Sequence, residues 1–534
     1  MGSFTRPAFF WAGAAACTAG ALLHLPMYLH ARHMGYRMAG MPVDTPMLLG
    51  MLLIVTGVAA VVHGLLPRGS GALRRQVASV RVRAVDDAPL RPAHVALLAV
   101  LSLAVTIDVM KPMTLSFVVP GVAKEYGLAS PLNPGGDVPV SWLPLSGIAG
   151  TMTGSFLWGR LGDRIGRRGS ILLAGVLFAT TAVCGAMPSF GWNVAMCFLM
   201  GTAAGGLIPI AFTLLAETVP QRHRGWLMVL IGGNVTVAYV LTSWLAATLT
   251  PTYGWRILWL VGLPTGLLLI ALNHWIPESP RYLLATGRTE EARRVLARYG
   301  AVVRDTAAPP DEPEPARGPA RSGYRRLFAA SFRGPTLALT VLAVGAGLMS
   351  YGFQMWLPTN LGRLGITEVS SDRVLRDSAL ISLPLNVLTA LLYGLWSSRR
   401  TVIALAGLTA GALVALAVLA ETAAGHGLLL RLLLLVPLWG ISATAAVLAA
   451  YSSEAYPTPL RALGTSWAAG ISKAGGVAIL ALSVAAVAVP PLGVTALLGA
   501  VPLALAAVAF GLYGPETRGR RLDEIVPGQV PARA

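Results

Sequence analysis

Gly159-Arg160-Leu161-Gly162-Asp163-Arg164-Ile165-Gly166-Arg167-Arg168 is a short polar stretch between two apolar runs, near 140–160 and 169–187. A glycine- and arginine-rich turn between such runs reads as a hairpin of membrane helices, the glycines letting the two helices turn and approach. The rest of the chain agrees. Of its 534 residues, 55% are hydrophobic and 12% charged, against about 25% charged in a soluble domain. The apolar runs are long enough to cross a bilayer at roughly 20 residues each. They do not alternate in polarity, which disfavours a membrane β-barrel. The formal net charge is +18, but nearly all the arginine lies in short segments between apolar runs. Lys111, Lys124 and Lys473 are the only lysines. The charge is therefore topological rather than a nucleic-acid footprint. Cys17, Cys184 and Cys197 all fall inside apolar runs, so no extracellular disulfide is expected.

Fourteen candidate spans follow from the pattern. Two lie near 8–30 and 46–66, six near 94–119, 140–160, 169–187, 192–216, 226–249 and 254–276, and six near 335–358, 375–396, 401–421, 428–452, 462–488 and 491–514. The domain reading is an N-terminal hairpin (1–67), a basic linker (68–93), a six-helix unit (94–276), a long polar loop (277–334), a second six-helix unit (335–514) and a tail (515–534). The first span is too long for a signal peptide and is expected to be retained. Arginine crowds alternate loops, among them Arg222 and Arg224, Arg399 and Arg400, and eleven arginines in 277–334. That bias puts those loops and both termini in the cytoplasm. Pro280 to Tyr299 reads as an amphipathic helix at the membrane face or a plain linker helix. Pro309 to Pro319, with five prolines, cannot form a helix.

The polar punctuation repeats. Glu217, Pro220 and Arg224 recur as Glu454, Pro457 and Arg461, 237 residues later; Pro277-Glu278 recurs as Pro515-Glu516, 238 later; Gly159 has a degraded counterpart at Gly394, 235 later. Three pairs at nearly one offset mark a six-span unit present twice.

These residues carry a resemblance. The stretch from Gly159 to Arg168 resembles the loop between the second and third helices of major facilitator superfamily transporters, and Glu217 to Gly225 the element after their fourth. Pro277-Glu278-Ser279-Pro280-Arg281 and Pro515-Glu516-Thr517-Arg518-Gly519 look like sugar-porter signatures; Tyr351 to Pro358 is closer to the organic-ion and synaptic-vesicle-protein-like branches. The resemblance covers about 90 to 534. It implies an all-α membrane protein with twelve core helices in two six-helix bundles, here joined by two extra N-terminal helices. It implies conformational latches at Gly159, Asp163, Arg164, Gly166 and Arg167, and at Glu217–Arg224 and Glu454–Arg461. The second copy of the first motif, Gly394 to Arg400, has no acid, so the latch should be asymmetric between the halves.

Ionisable residues in mid-span are expensive and mark function. Asp108 and Lys111 lie at i and i+3 and can pair, with Pro112 following as a potential break. They are candidates for proton coupling. Many sugar porters pair the first-helix acid with an arginine four residues before Gly201, where this chain has Cys197. Lys473, in Gly470 to Gly476, argues for an anionic substrate, because organic-cation carriers tend to place an acid there. Lys111, Asn234, Tyr239, Gln354, Trp356, Asn386, Tyr393 and Trp467 complete the candidate substrate set. Asn360 is a weaker member. Gln354 alone is a sparse polar set for a sugar. The eight histidines show no ligand spacing, and no metal or cofactor is expected. The sequence is read as a secondary transporter, not an enzyme. Its partners are the bilayer, protons and a small organic solute, most plausibly an anion, with a monomer expected and no nucleic acid. A sugar or polyol symporter, a drug exporter and a non-transporting scaffold stand as alternatives.

Overall fold

The computed structural model describes residues 6–67, 88–130, 133–301, 324–456, 458–485 and 490–518. The linker arginines from Arg68 to Arg83, the proline-rich stretch 309–319 and the tail beyond 518 lie outside the described residues. Twelve helices among those described are long and apolar enough to cross a membrane, and they include Pro7–Met34 and Thr45–Leu65 of the leading hairpin. Two expected spans fall outside that set. The span at 254–276 becomes a shorter apolar helix, Ile257–Leu272. The span at 140–160 forms the first arm of the helix Trp142–Thr180, which breaks at Gly166 (φ 81°, ψ 170°). That arm carries Ser146, Thr151, Thr153 and Ser155 among its apolar residues.

Small residues explain how it packs. A side chain at Gly201, in the helix Phe190–Ala204, would collide with the Gly147 carbonyl. The two helices therefore touch backbone to backbone, as lipid-embedded helices do when packing rather than hydrophobic burial holds them. The leading hairpin closes the same way: a Cβ on Gly20 would stand 2.6 Å from the Gly50 carbonyl oxygen.

The Asp108 helix runs unbroken from Pro92 to Tyr126, through Pro112 and Pro120. The break expected at Pro112 does not form. Proline removes one donor, leaving the carbonyl four residues earlier (that of Asp108) without its helical partner; neighbouring helices hold the rest straight. Elsewhere the backbone widens: Leu348–Gln354 and Leu392–Trp396 are π-helical, a form that often marks functional positions.

Helices before residue 277 meet those after 330 through a hydroxyl–amide triad. Ser442 Oγ donates to Asn386 Oδ1 (2.8 Å), Asn386 Nδ2 to Thr236 Oγ1 (2.9 Å), and Thr236 lies 2.5 Å from Ser442. Every member is buried, so each hydrogen bond replaces one that water or lipid cannot supply. In the central loop, Pro280–Ala285 and Thr289–Arg298 are separate helices divided at Gly287 (φ 74°). The second is amphipathic and buries Ala292 and Leu296.

Candidate functional site

Asp108 and Lys473 come from opposite halves of the chain and act on each other electrostatically, without an ion pair joining them among the described residues. Asp108 is 2% exposed, and its Oδ1 has no hydrogen-bond partner among the described residues. The charged group acting on it is Lys473, and Asp108 acts in return on Lys473. Lys473 lies in the helix Thr458–Ala485 and donates from Nζ to Ser155 Oγ, on the first arm of the Trp142–Thr180 helix. Ser155 in turn donates to the carbonyls of Thr151 and Gly205, each at 2.9 Å. Its lone pair is thereby aimed at the ammonium. A charge removed from water needs an opposite charge and fixed dipoles to be tolerated, and this cluster provides both across the two halves.

Lys111 is placed apart from Asp108. Its Nζ lies over the Phe178 ring at 5.9 Å, beside Thr181 and Gly262. None of the described ion pairs joins it to Asp108. Side chains at i and i+3 diverge by roughly 60° around a helix, and the long lysine stem carries the ammonium toward the Ile257–Leu272 helix. Cys197 is buried in the first half, as is Cys184.

The remaining candidates separate into two groups. Tyr239, Gln354 and Trp356 are buried, and Tyr239 Oη, Gln354 Oε1 and Trp356 Nε1 each lack a hydrogen-bond partner among the described residues. Such atoms cost about 1–3 kcal/mol each when left unmatched, a cost that a polar solute can offset. The others are engaged by the protein. Asn234 donates to Ser102 Oγ (2.6 Å), Asn386 belongs to the triad, and Asn360 donates to the Pro490 carbonyl (3.2 Å). Tyr393 donates to Glu454 (2.7 Å), and Trp467 to Thr340 (2.8 Å) while packing on Tyr324 and Phe328.

The motifs flanking these helices form two related clusters. In the first, Glu278 Oε1 accepts from the backbone N–H groups of Arg167 (2.7 Å) and Ser279 (2.9 Å), at the helix start just after Gly166. Ser279 Oγ donates to Glu217, which lies 3.8 Å from Arg167. In the second, Glu516 Oε1 accepts from the N–H (2.9 Å) and hydroxyl (2.6 Å) of Ser398, which opens the helix Ser398–Ala424. Thr517 Oγ1 donates to Glu454 (2.9 Å). Carboxylates on helix N-termini are favoured by the unsatisfied N–H groups and the helix dipole. Burial pushes the Glu278 carboxyl up, against the N–H donors and the Arg167 charge. Burial acts on Glu516 too, but the Ser397 and Ser398 donors outweigh it and hold it below the usual carboxylate range. Of the sequence-predicted latch residues, Arg164 accepts from Tyr282 Oη at its carbonyl (3.1 Å), and Arg224 donates to the Val219 carbonyl (3.2 Å). Gly159 lies within the helix Trp142–Thr180, and the side chains of Asp163 and Arg461 lie outside what is described.

Residues 118–527 match the family described as "Sugar (and other) transporter". The chain belongs to this family of the major facilitator superfamily. The niacin transporter of Acinetobacter baylyi is 26% identical, over 83% of this chain and 99% of the relative. The 4-hydroxybenzoate transporter of the same organism is 27% identical, over 74% of this chain and 85% of the relative. The solved structure of the proton:xylose symporter XylE bound to 6-bromo-6-deoxy-D-glucose shares the fold, with a TM-score of 0.62 at 19% identity, covering 81% of this chain and 98% of that one.

Three parts of this transporter were not singled out from its sequence. Ser155 is one hydroxyl among many in a small-residue helix. The Glu278 and Glu516 carboxylates were visible as a repeat, but not as helix-capping groups. Glu125 and Arg256 form a deeply buried ion pair (2.7 Å); Glu125 also accepts from Trp255 and from the backbone of Met38 and Ala39 in the leading hairpin. The available signal was an acid and an arginine, each at the end of an apolar span.

Proposed function

We propose that this multi-pass transporter moves a small, aromatic-sized organic anion by proton-coupled alternating access, with Asp108 as the proton-coupling acid and Lys473 as the anion-binding cation. The observation that carries the reading is the Asp108–Lys473–Ser155 cluster, built from both halves. A substrate carboxylate competing with Asp108 for Lys473 would favour a proton on Asp108, which links the two events in one site. Relatives named for niacin and 4-hydroxybenzoate support an aromatic acid as the solute class. A proton symporter of the same fold supports the coupling. Tyr239, Gln354 and Trp356 would orient the ring and its polar substituents.

The topology that fits this reading has fourteen crossings: two six-helix bundles, 94–276 and 335–514, and the leading hairpin. The arginine-rich loops and both termini face the cytoplasm of a bacterial cell. The test is uptake into proteoliposomes under an imposed inward proton gradient, with nicotinate, 4-hydroxybenzoate and xylose compared. Accumulation of an aromatic acid is expected, together with its loss in Asp108→Asn while counterflow exchange persists. Gradient-driven xylose uptake with no aromatic acid transport would overturn the substrate class. Undiminished accumulation in Asp108→Asn would overturn the coupling role.

A further inference from the structure

A cavity lies away from the Asp108–Lys473 cluster. It measures about 250 Å³ and opens where the end of the Ile257–Leu272 helix meets the amphipathic helix Thr289–Arg298. Arg168, Arg294 and Arg298 line it, beside Trp275. Two acids, Glu278 and Glu291, stand on its wall. Glu291 is bonded to Arg288 (2.9 Å), and Glu278 is turned onto the backbone N–H groups of Arg167 and Ser279. Arg168 spends its Nε on the Asn273 carbonyl (3.2 Å), which fixes its guanidinium at the cavity wall. The cavity is therefore lined by four guanidiniums against two carboxylates: Arg288 is held by Glu291, Glu278 keeps Oε2 without a partner among the described residues, and Arg168, Arg294 and Arg298 leave an excess of positive charge.

Its position selects the occupant. Trp275 is 57% exposed and sits just past the last turn of a helix that presents Leu267 and Leu268 outward. Exposed tryptophan at the end of an apolar helix marks the headgroup level of a bilayer, and the exposed leucines below it offer a path for an acyl chain. Guanidinium groups match phosphate oxygens in geometry as well as charge. We propose that this cavity binds the phosphodiester headgroup of an anionic phospholipid, held by Arg168, Arg294 and Arg298, with a chain lying along the Leu267–Leu268 face. The site needs only that the protein is embedded in a bilayer, and it is independent of the transported solute.

The test is native mass spectrometry of the full-length, delipidated protein in detergent, titrated with phosphatidylglycerol, phosphatidylcholine or inorganic phosphate. A preferred phosphatidylglycerol adduct is expected. It should weaken roughly tenfold or more in Arg294→Gln/Arg298→Gln, since each basic residue near an anionic headgroup contributes appreciably. Both side chains are exposed, so the variant is expected to fold, and an unchanged thermal midpoint in phosphatidylcholine checks that it does. Arg325→Gln/Arg326→Gln makes the same charge change elsewhere and should keep the preference. Equal binding of phosphatidylcholine, an unchanged preference in the first variant, or an equal loss in the second would overturn the proposal. Phosphate competing at millimolar concentration as well as the lipid would assign the site to a soluble anion instead.

Discussion

The two carboxylate clusters share one wiring and differ in their surroundings. In each half a glutamate sits on the N-terminus of a helix, and the hydroxyl of the next residue reaches a second glutamate: Glu278, Ser279 and Glu217 in the first, Glu516, Thr517 and Glu454 in the second. In the first half the helix starts after a left-handed glycine, Gly166, and the nearby charge is Arg167. In the second it starts after Ser397, whose backbone is extended (φ −166°), and the hydroxyls of Ser397 and Ser398 donate to Glu516. Glu278 is deeply buried and shifted up; Glu516 is more accessible and shifted down. The connections recur while the surroundings of the two carboxylates differ, so Glu278 and Glu516 respond differently to protons.

The largest expected effect comes from Gly166→Ala. The residue would need a left-handed backbone, and its Cβ would run into the Glu278 carboxylate. A loss of about 1–3 kcal/mol is expected from strain alone, read as a lower thermal midpoint in detergent. At the corresponding place Ser397→Ala loses a helix cap and one bond to Glu516, about 1 kcal/mol. Equal losses would erase the distinction between the two halves.

Next come Glu278→Gln and Glu516→Gln. The folded value of Glu516 is lowered, so its stabilisation is present above the unfolded carboxylate value of about 4.3 and is lost as pH falls through the lower folded value. Glu278 is raised, so its contribution is full below the unfolded value and is lost as pH rises through the raised folded value. At pH 7, Glu516→Gln should lower the midpoint by the equivalent of about 1–2 kcal/mol, and Glu278→Gln by less. The gap should narrow toward pH 4. The reverse order at pH 7 would contradict the assigned asymmetry. The smallest contrast is Thr517→Val against Ser279→Ala. Each removes a bond to a glutamate, worth about 1 kcal/mol, and each hydroxyl makes a second contact, Thr517 with Ser398 and Ser279 with the Tyr282 N–H, so the two losses should be similar.

How much of this was legible in the sequence depended on rarity. Lysine occurs three times, so Lys473 stood out at once, and Asp108 stood out as an acid in an apolar run. Their proximity was not legible, because they lie 365 positions apart on helices whose facing is set by tertiary packing. Local spacing pointed to Lys111 instead, and the structure sends that side chain toward Phe178. Pro112 read as a break because proline removes a helical donor, yet packing keeps the helix continuous. The repeat of Pro277-Glu278 and Pro515-Glu516 was plain; that each acid caps a helix beginning more than a hundred residues earlier required the fold.

The central claim is that Asp108 and Lys473 act as one site. The most direct measurement is a double-mutant cycle on 4-hydroxybenzoate binding to the purified protein, using Asp108→Asn, Lys473→Met and the combined variant. The account predicts that the two changes are coupled, by about 0.5–3 kcal/mol as for groups in direct interaction, with Lys473→Met alone weakening the anion. Additive effects, or anion affinity unchanged in Lys473→Met, would contradict it.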